Sequence, residues 1–166
     1  MIKVSKTKLP GVLMIKPEAF EDFRGVYVET YNEKLYKRNG IKAKFVQDDY
    51  SSSKKNVLRG IHGDQKTYKL ISCPYGEIYF VVVNCDKKSK SFGQWQSFIL
   101  SAENRLQILV PPKHGNAHLV LKDKSVFHYK QSTYYEPKSQ FSYKWNNPAF
   151  KITWPIKKPI LSQRDQ

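Results

Sequence analysis

Two cysteines in 166 residues, Cys73 and Cys85, are too few for a disulfide framework and lack the spacing of a metal site. They fit a reducing compartment, so the cytoplasm is the expected location. Long apolar runs are missing too. The longest, Ile78 to Val83, falls far short of the ~20 residues that a membrane-spanning helix needs. The stretch Met1 to Lys8 has no apolar core of the kind a signal peptide carries. There is no glycine-rich phosphate loop, no nucleophile-elbow motif, no internal repeat and no low-complexity linker. Acidic residues are scarce, 14 against 29 basic ones, for a net charge of +15. Of those 29, 24 are lysines scattered from Lys3 to Lys158, with no basic run longer than two and no nucleic-acid motif around them. That distribution argues for a solvated cationic surface and against a nucleic-acid partner. It would still steer a small dianionic ligand into a cleft.

What is present is mostly strand. The length suits one domain, residues 1–166, with a sizeable core. Gly11–Ile15, Val26–Thr30, Lys44–Tyr50, Leu70–Cys73, Ile78–Cys85, Gln94–Leu100, Gln107–Val110, Ala117–Leu121 and Val126–Thr133 read as strands. Phe20–Gly25, Ser51–Ser53, Pro74–Gly76 and Lys122–Lys124 read as turns. One short peripheral helix is expected after Asn32, with Glu33 in its first turn, Lys37 and Arg38 in its last, and Gly40 beyond. Many short strands with almost no helix predict an all-β sandwich or jelly-roll barrel. The tail from Tyr143 to Asp165 is irregular and proline-rich, and is expected to pack across that barrel.

The centre of interest is Val57–Lys69, which sets Arg59, His62 and Lys69 just ahead of the apolar Glu77–Val83 strand. Gly60 and Gly63 bracket the histidine, and glycine within a strand marks a bulge or a close backbone approach. An imidazole, a guanidinium and an ammonium on a rigid sheet suit an anion and a mobile proton. A solvated basic loop with an incidental histidine is the plain alternative. Metal binding is not expected. His62 is followed two residues on by Asp64 instead of a second histidine, so Pro111–His118 offers only half a ligand set. In Phe127-His128-Tyr129-Lys130, alternation puts Phe127 and Tyr129 on one face and His128 on the other. Tyr129 would then point inward, either as a core residue or with its hydroxyl toward a ligand.

Further motifs fall in a definite order: Phe20-x-Asp22-x-Arg24-Gly25 with Glu29; Phe45-x-Gln47-x-Asp49-x-Ser51-x-Ser53; Leu58-Arg59-Gly60-Ile61-His62 with Lys69; Pro111 to His118; Tyr129-Lys130 with Tyr134-Tyr135; Trp145 to Pro148; Trp154-Pro155; and Leu161-Ser162-x-x-Asp165. From Gly11 to Asp165 the chain resembles the dTDP-4-dehydrorhamnose 3,5-epimerase family of nucleotide-sugar epimerases. The resemblance implies a cupin-type jelly roll that needs neither metal nor other cofactor and works as a homodimer. It also implies roles. His62 would be the base, Asp165 its partner, Tyr129 the acid on the opposite sugar face, and Lys69 the neighbour of the C4 oxygen. Arg59 and His118 would line the pocket. Arg24 and Glu29 would reach the nucleotide, from the same or the neighbouring subunit, with Gln47, Asp49 and Tyr135 in the substrate-binding set. His62-Gly63-Asp64-Gln65 and His118 to Leu121 look closest to the branch acting on GDP-linked 4-keto-6-deoxy-heptoses for bacterial capsule synthesis. Asp49 stands where the 3,5-epimerase family usually has Asn, so the resemblance fixes neither base nor sugar, and the expected ligand is a GDP- or dTDP-linked 4-keto sugar. The rivals are a 3,4-ketoisomerase on the same barrel and a non-catalytic sugar- or nucleotide-binding barrel.

The chemistry is coherent. A hydrogen on the carbon beside a ketone is acidic because its anion delocalises onto the carbonyl oxygen. Removing it calls for a base with a pKa near neutrality, which histidine supplies.

Overall fold

The computed structural model describes residues 1–166. Two antiparallel sheets face one another. The first has six strands in the order β1 (Ile2–Lys6), β2 (Leu13–Pro17), β10 (Gln107–Val110), β7 (Lys69–Tyr75), β12 (Lys124–Gln131) and β5 (Gln47–Lys54). The second has five: β13 (Gln140–Ser142), β6 (Leu58–Asp64), β11 (His114–Val120), β8 (Glu77–Asn84) and β9 (Trp95–Ser101). A separate hairpin, β3 (Ala19–Asp22) and β4 (Gly25–Val28), carries Phe23 and Tyr27 at 97% and 68% exposure. The expected jelly roll is therefore present. No helix is long and apolar enough to cross a membrane.

The apolar run of β8 makes sense once both of its faces are covered. Ile78, Phe80 and Val82 point between the sheets, where they meet Ile71, Phe98, Leu100, Ile108 and Phe127. Val81 and Val83 point outward and are covered by the tail through Phe141, Tyr143, Phe150 and Trp154. A strand buried on both faces loses the alternation of a half-exposed one. The tail does cross the barrel, but it is less irregular than expected: β13 pairs with β6, setting Ser142 opposite His62.

The helix α1 (Glu33–Arg38) begins as expected, with Asn32 Oδ1 accepting from the Leu35 N–H at 3.1 Å. It lies on the outer face of the six-stranded sheet, where Tyr36 is buried among Ile2, Ile15, Ile41 and Leu70. Ser51–Ser53 is not a turn. All three residues continue β5 and pair with β12, Ser53 opposite Ser125 and Ser51 opposite Phe127. Small polar side chains look like turn formers in isolation, yet on an edge strand they simply alternate. The Phe20–Gly25 turn is likewise tighter, because Phe20 to Asp22 already belong to β3.

Gly60 does what a glycine in a strand suggests. Asn116 pairs with His62 and His118 pairs with Arg59, so two steps on β11 face three on β6. One extra residue is thus absorbed as a bulge. Gly60 has φ +121°, and a Cβ there would lie 2.6 Å from the Ala117 Cβ and from the Asn116 carbonyl oxygen. The bulge turns Arg59 and His62, an odd number of residues apart, to the same side of the sheet.

Candidate functional site

That side is a cavity of about 280 Å³ between the sheets. The five-stranded sheet contributes Arg59, His62, Asn116 and His118, and the six-stranded sheet contributes Tyr50, Ser51, Lys69, Phe127 and Tyr129. The tail closes it with Ser162, Arg164 and Asp165. Backbone pairing brings the tail there: Leu58 N–H donates to the Ile160 carbonyl at 3.0 Å, and Ile160 N–H to the Asn56 carbonyl at 2.8 Å. The short 3-10 turn Gln163–Asp165 then swings Asp165 under β6.

His62 Nε2 lies 2.6 Å from Asp165 Oδ1. Asp165 is 5% exposed, and its Oδ2 accepts from the Ser162 hydroxyl at 2.8 Å. Burial pulls the His62 pKa below the usual histidine value, with Arg164 and Lys69 pushing the same way and Asp165 opposing. Lys69 is also lowered, chiefly by burial, with Asp64 resisting the change. Its Nζ sits 5.9 Å from the centre of the Tyr129 ring. Burial first, then the Asp49 charge, raises the Tyr129 phenol above its ordinary value. His118 stacks on Phe127 with ring centres 4.1 Å apart, and burial beside Arg59 lowers its pKa to about 3. It is therefore a neutral ring at physiological pH. Arg59 is held by Nε donating to Ser53 Oγ at 3.1 Å.

Of the residues singled out from the sequence, His62, Asp165, Tyr129, Lys69, Arg59 and His118 come together here. Gln47, Asp49 and Tyr135 form an adjoining group. Gln47 Nε2 donates to Asp49 Oδ2 at 2.7 Å, Tyr135 N–H donates to Gln47 Oε1 at 2.8 Å, and Asp49 pairs with Tyr129 across the sheet. Arg24 and Glu29 are not brought to the cavity within one chain. Arg24 bonds Asp22 on the exposed hairpin at 2.6 Å, and Glu29 accepts from Asn32 at 3.1 Å beside the helix. His128 faces outward as alternation predicts, between Ser72 Oγ at 3.1 Å and Asp48 Oδ1 at 2.6 Å. His114 bonds the Pro112 carbonyl at 3.1 Å, and no three His, Cys, Asp or Glu side chains converge in a metal-ligating cluster.

Six cavity residues had not been singled out as site residues: Tyr50, Ser51, Asn116, Phe127, Ser162 and Arg164. Ser51, Asn116 and Ser162 lie within motifs already noted, so their position was a usable signal. Arg164 had none, since one arginine in an irregular tail is indistinguishable from a surface charge.

A jelly roll whose cavity sets a His–Asp pair against a lysine and a tyrosine has the architecture of a cupin-type sugar epimerase. The family model for dTDP-4-dehydrorhamnose 3,5-epimerase matches residues 6–166. The Salmonella typhimurium dTDP-4-dehydrorhamnose 3,5-epimerase is 42% identical, over 99% of this chain and 93% of its own. The Legionella pneumophila dTDP-6-deoxy-D-glucose-3,5-epimerase, solved with dTDP-4-keto-L-rhamnose, is 36% identical with a TM-score of 0.94, covering 99% of this chain and 90% of that one. A 3'-monoepimerase from Streptomyces bikiniensis, solved with dTDP-quinovose, is 27% identical with a TM-score of 0.90, covering 96% and 83%. The chain belongs to the dTDP-4-dehydrorhamnose 3,5-epimerase family, and is an isomerase-class nucleotide-sugar epimerase. These relatives lend no support to the GDP-linked heptose or the capsular role expected from the motifs, since the nucleotide in their names is dTDP.

Proposed function

We propose that the protein inverts C3, and C5 where the sugar ring can re-present itself, of a dTDP-linked 4-keto-6-deoxy sugar. The observation that carries this reading is the placement of base and acid on opposite walls. His62 stands on the five-stranded sheet and Tyr129 on the six-stranded one, across one cavity. His62 takes the hydrogen from the carbon beside the ketone. Asp165 fixes the imidazole's orientation and stabilises its charged form, as carboxylates do in other His–Asp pairs. Lys69 stabilises the enolate oxygen, where the loss of one comparable donor costs about 3–4 kcal/mol. Tyr129 returns a proton from the other face. Its raised pKa keeps the phenol protonated at neutral pH, and the enolate carbon is far more basic than a phenolate. Inversion therefore needs no redox or metal step. Arg59 and Arg164 supply the positive charge that a diphosphate calls for.

The test is incubation with dTDP- and GDP-linked 4-keto-6-deoxy sugars in D₂O, with deuterium located by NMR. Deuterium at C3 with inverted configuration on the dTDP sugar is the expected result. Faster turnover of the GDP sugar would overturn the choice of nucleotide. A product with its ketone at C3 would point to a ketoisomerase instead.

The exposed hairpin bears on assembly. Phe20, Val26 and Tyr27 on two paired strands and Phe23 in the turn between them are 44–97% exposed. Such a surface is stable only when covered, and in a homodimer a partner would cover it while Arg24 approached the partner's cavity. Light scattering at micromolar concentration is expected to give twice the chain mass. A monomer would remove this part of the proposal.

A further inference from the structure

Asn116 stands on β11 directly opposite His62 on β6, so the two side chains share the cavity wall. It is 8% exposed, and its Oδ1 is buried without a hydrogen-bond partner. A buried acceptor left unpaired is costly, and nearly all such atoms in folded proteins are satisfied. Two nitrogens of the flanking residues are turned to other partners. His62 Nε2 is held by Asp165, and Arg59 Nε by Ser53.

We infer that Asn116 determines substrate specificity: its carboxamide oxygen accepts a hydrogen bond from the sugar's C2 hydroxyl. The inference rests on the epimerase reading and deepens it. Paired residues on adjacent strands have Cα atoms roughly 4.5–5.5 Å apart, so whatever Asn116 touches lies beside the atom that His62 deprotonates. When that atom is C3, its ring neighbours are C4 and C2. The C4 ketone oxygen can only accept, so it cannot satisfy Oδ1. The C3 hydroxyl donates but changes side when C3 inverts, whereas the C2 hydroxyl donates and keeps its place through the reaction. A carboxamide also suits the place chemically, because a carboxylate there would oppose the growing enolate charge, and a second titrating group would compete for the α proton.

The test compares a dTDP-linked 4-keto-6-deoxyhexose with its 2-deoxy counterpart. The wild-type protein is expected to prefer the hydroxylated sugar in kcat/KM by about ten- to hundred-fold, the worth of one buried hydrogen bond. Asn116→Ala is expected to lose a similar factor on the hydroxylated sugar and little on the 2-deoxy sugar, so that the preference collapses. Asn116→Ser, which keeps a smaller acceptor, is expected to retain part of it. Equal losses on both sugars would mean that Asn116 only supports the fold, and would overturn the inference. So would a wild-type protein indifferent to the C2 hydroxyl, a result that needs no variant to fold. If the wild type exchanged no α hydrogen on either sugar, the epimerase reading itself would fall, and this inference with it.

Discussion

His62→Asn is expected to abolish exchange of the sugar's α hydrogen with solvent. Asparagine preserves much of the shape but cannot accept a proton at neutral pH. The other cavity groups are poorly suited to replace it: His118 is a weak base with a pKa near 3, and the Asp165 carboxylate is engaged by the Ser162 hydroxyl. Loss of a positioned base typically costs about 10²–10⁴-fold. The pH profile gives a second check. Catalysis needs the neutral imidazole, so kcat/KM should fall as pH drops through the His62 pKa. Burial holds that pKa below the ordinary value, so the midpoint of the acid limb is expected below about 6.5. Exchange at the wild-type rate in the variant would show that the base lies elsewhere.

Tyr129→Phe should separate the two halves of the reaction. The base and Lys69 remain, so the first deprotonation should survive. Delivery from the opposite face is what goes. The enolate would be reprotonated mainly by the His62 imidazolium, on the face it left. Deuterium should therefore enter with retained configuration while net epimerisation falls by about 10²-fold or more. Following both C3 and C5 by NMR distinguishes retention from inversion at each carbon. Epimerisation at the wild-type rate would make Tyr129 a core tyrosine, packed on Phe127 with ring centres 5.4 Å apart.

The sequence makes some of this visible and hides the rest for physical reasons. Short strands punctuated by turn formers were enough for an all-β barrel, and Asn32 with Gly40 marked the one helix. Phe127 and Tyr129 share the inner face as alternation requires, and His128 faces away. The continuous apolar run of β8 does not by itself say which side chains point inward, because the tail buries its second face. Asp165 lies more than a hundred residues from His62. Its place beside the imidazole depends on the Ile160 backbone pairing with Asn56 and Leu58, which leaves no trace in residue type. Asn116 was hidden differently. Its significance lies in an oxygen that lacks a partner, and a lack of that kind is a property of three-dimensional surroundings.

The extra residue in β6 also reaches beyond its own position. A regular strand counts its side chains in twos, and between Arg59 and His62 β6 carries one residue more than β11, which Gly60 absorbs. With a larger side chain at position 60 the strand would be driven toward regular pairing without losing a residue. The surplus would then have to leave through one end, as a slip of one position along β11. Such a slip exchanges the faces of every residue beyond it. His62 would exchange the cavity for the layer beneath Phe141 and Tyr143, while Arg59, upstream, kept its place. The chain could remain folded and still hold its anion, but the proton acceptor would be on the wrong side of the wall.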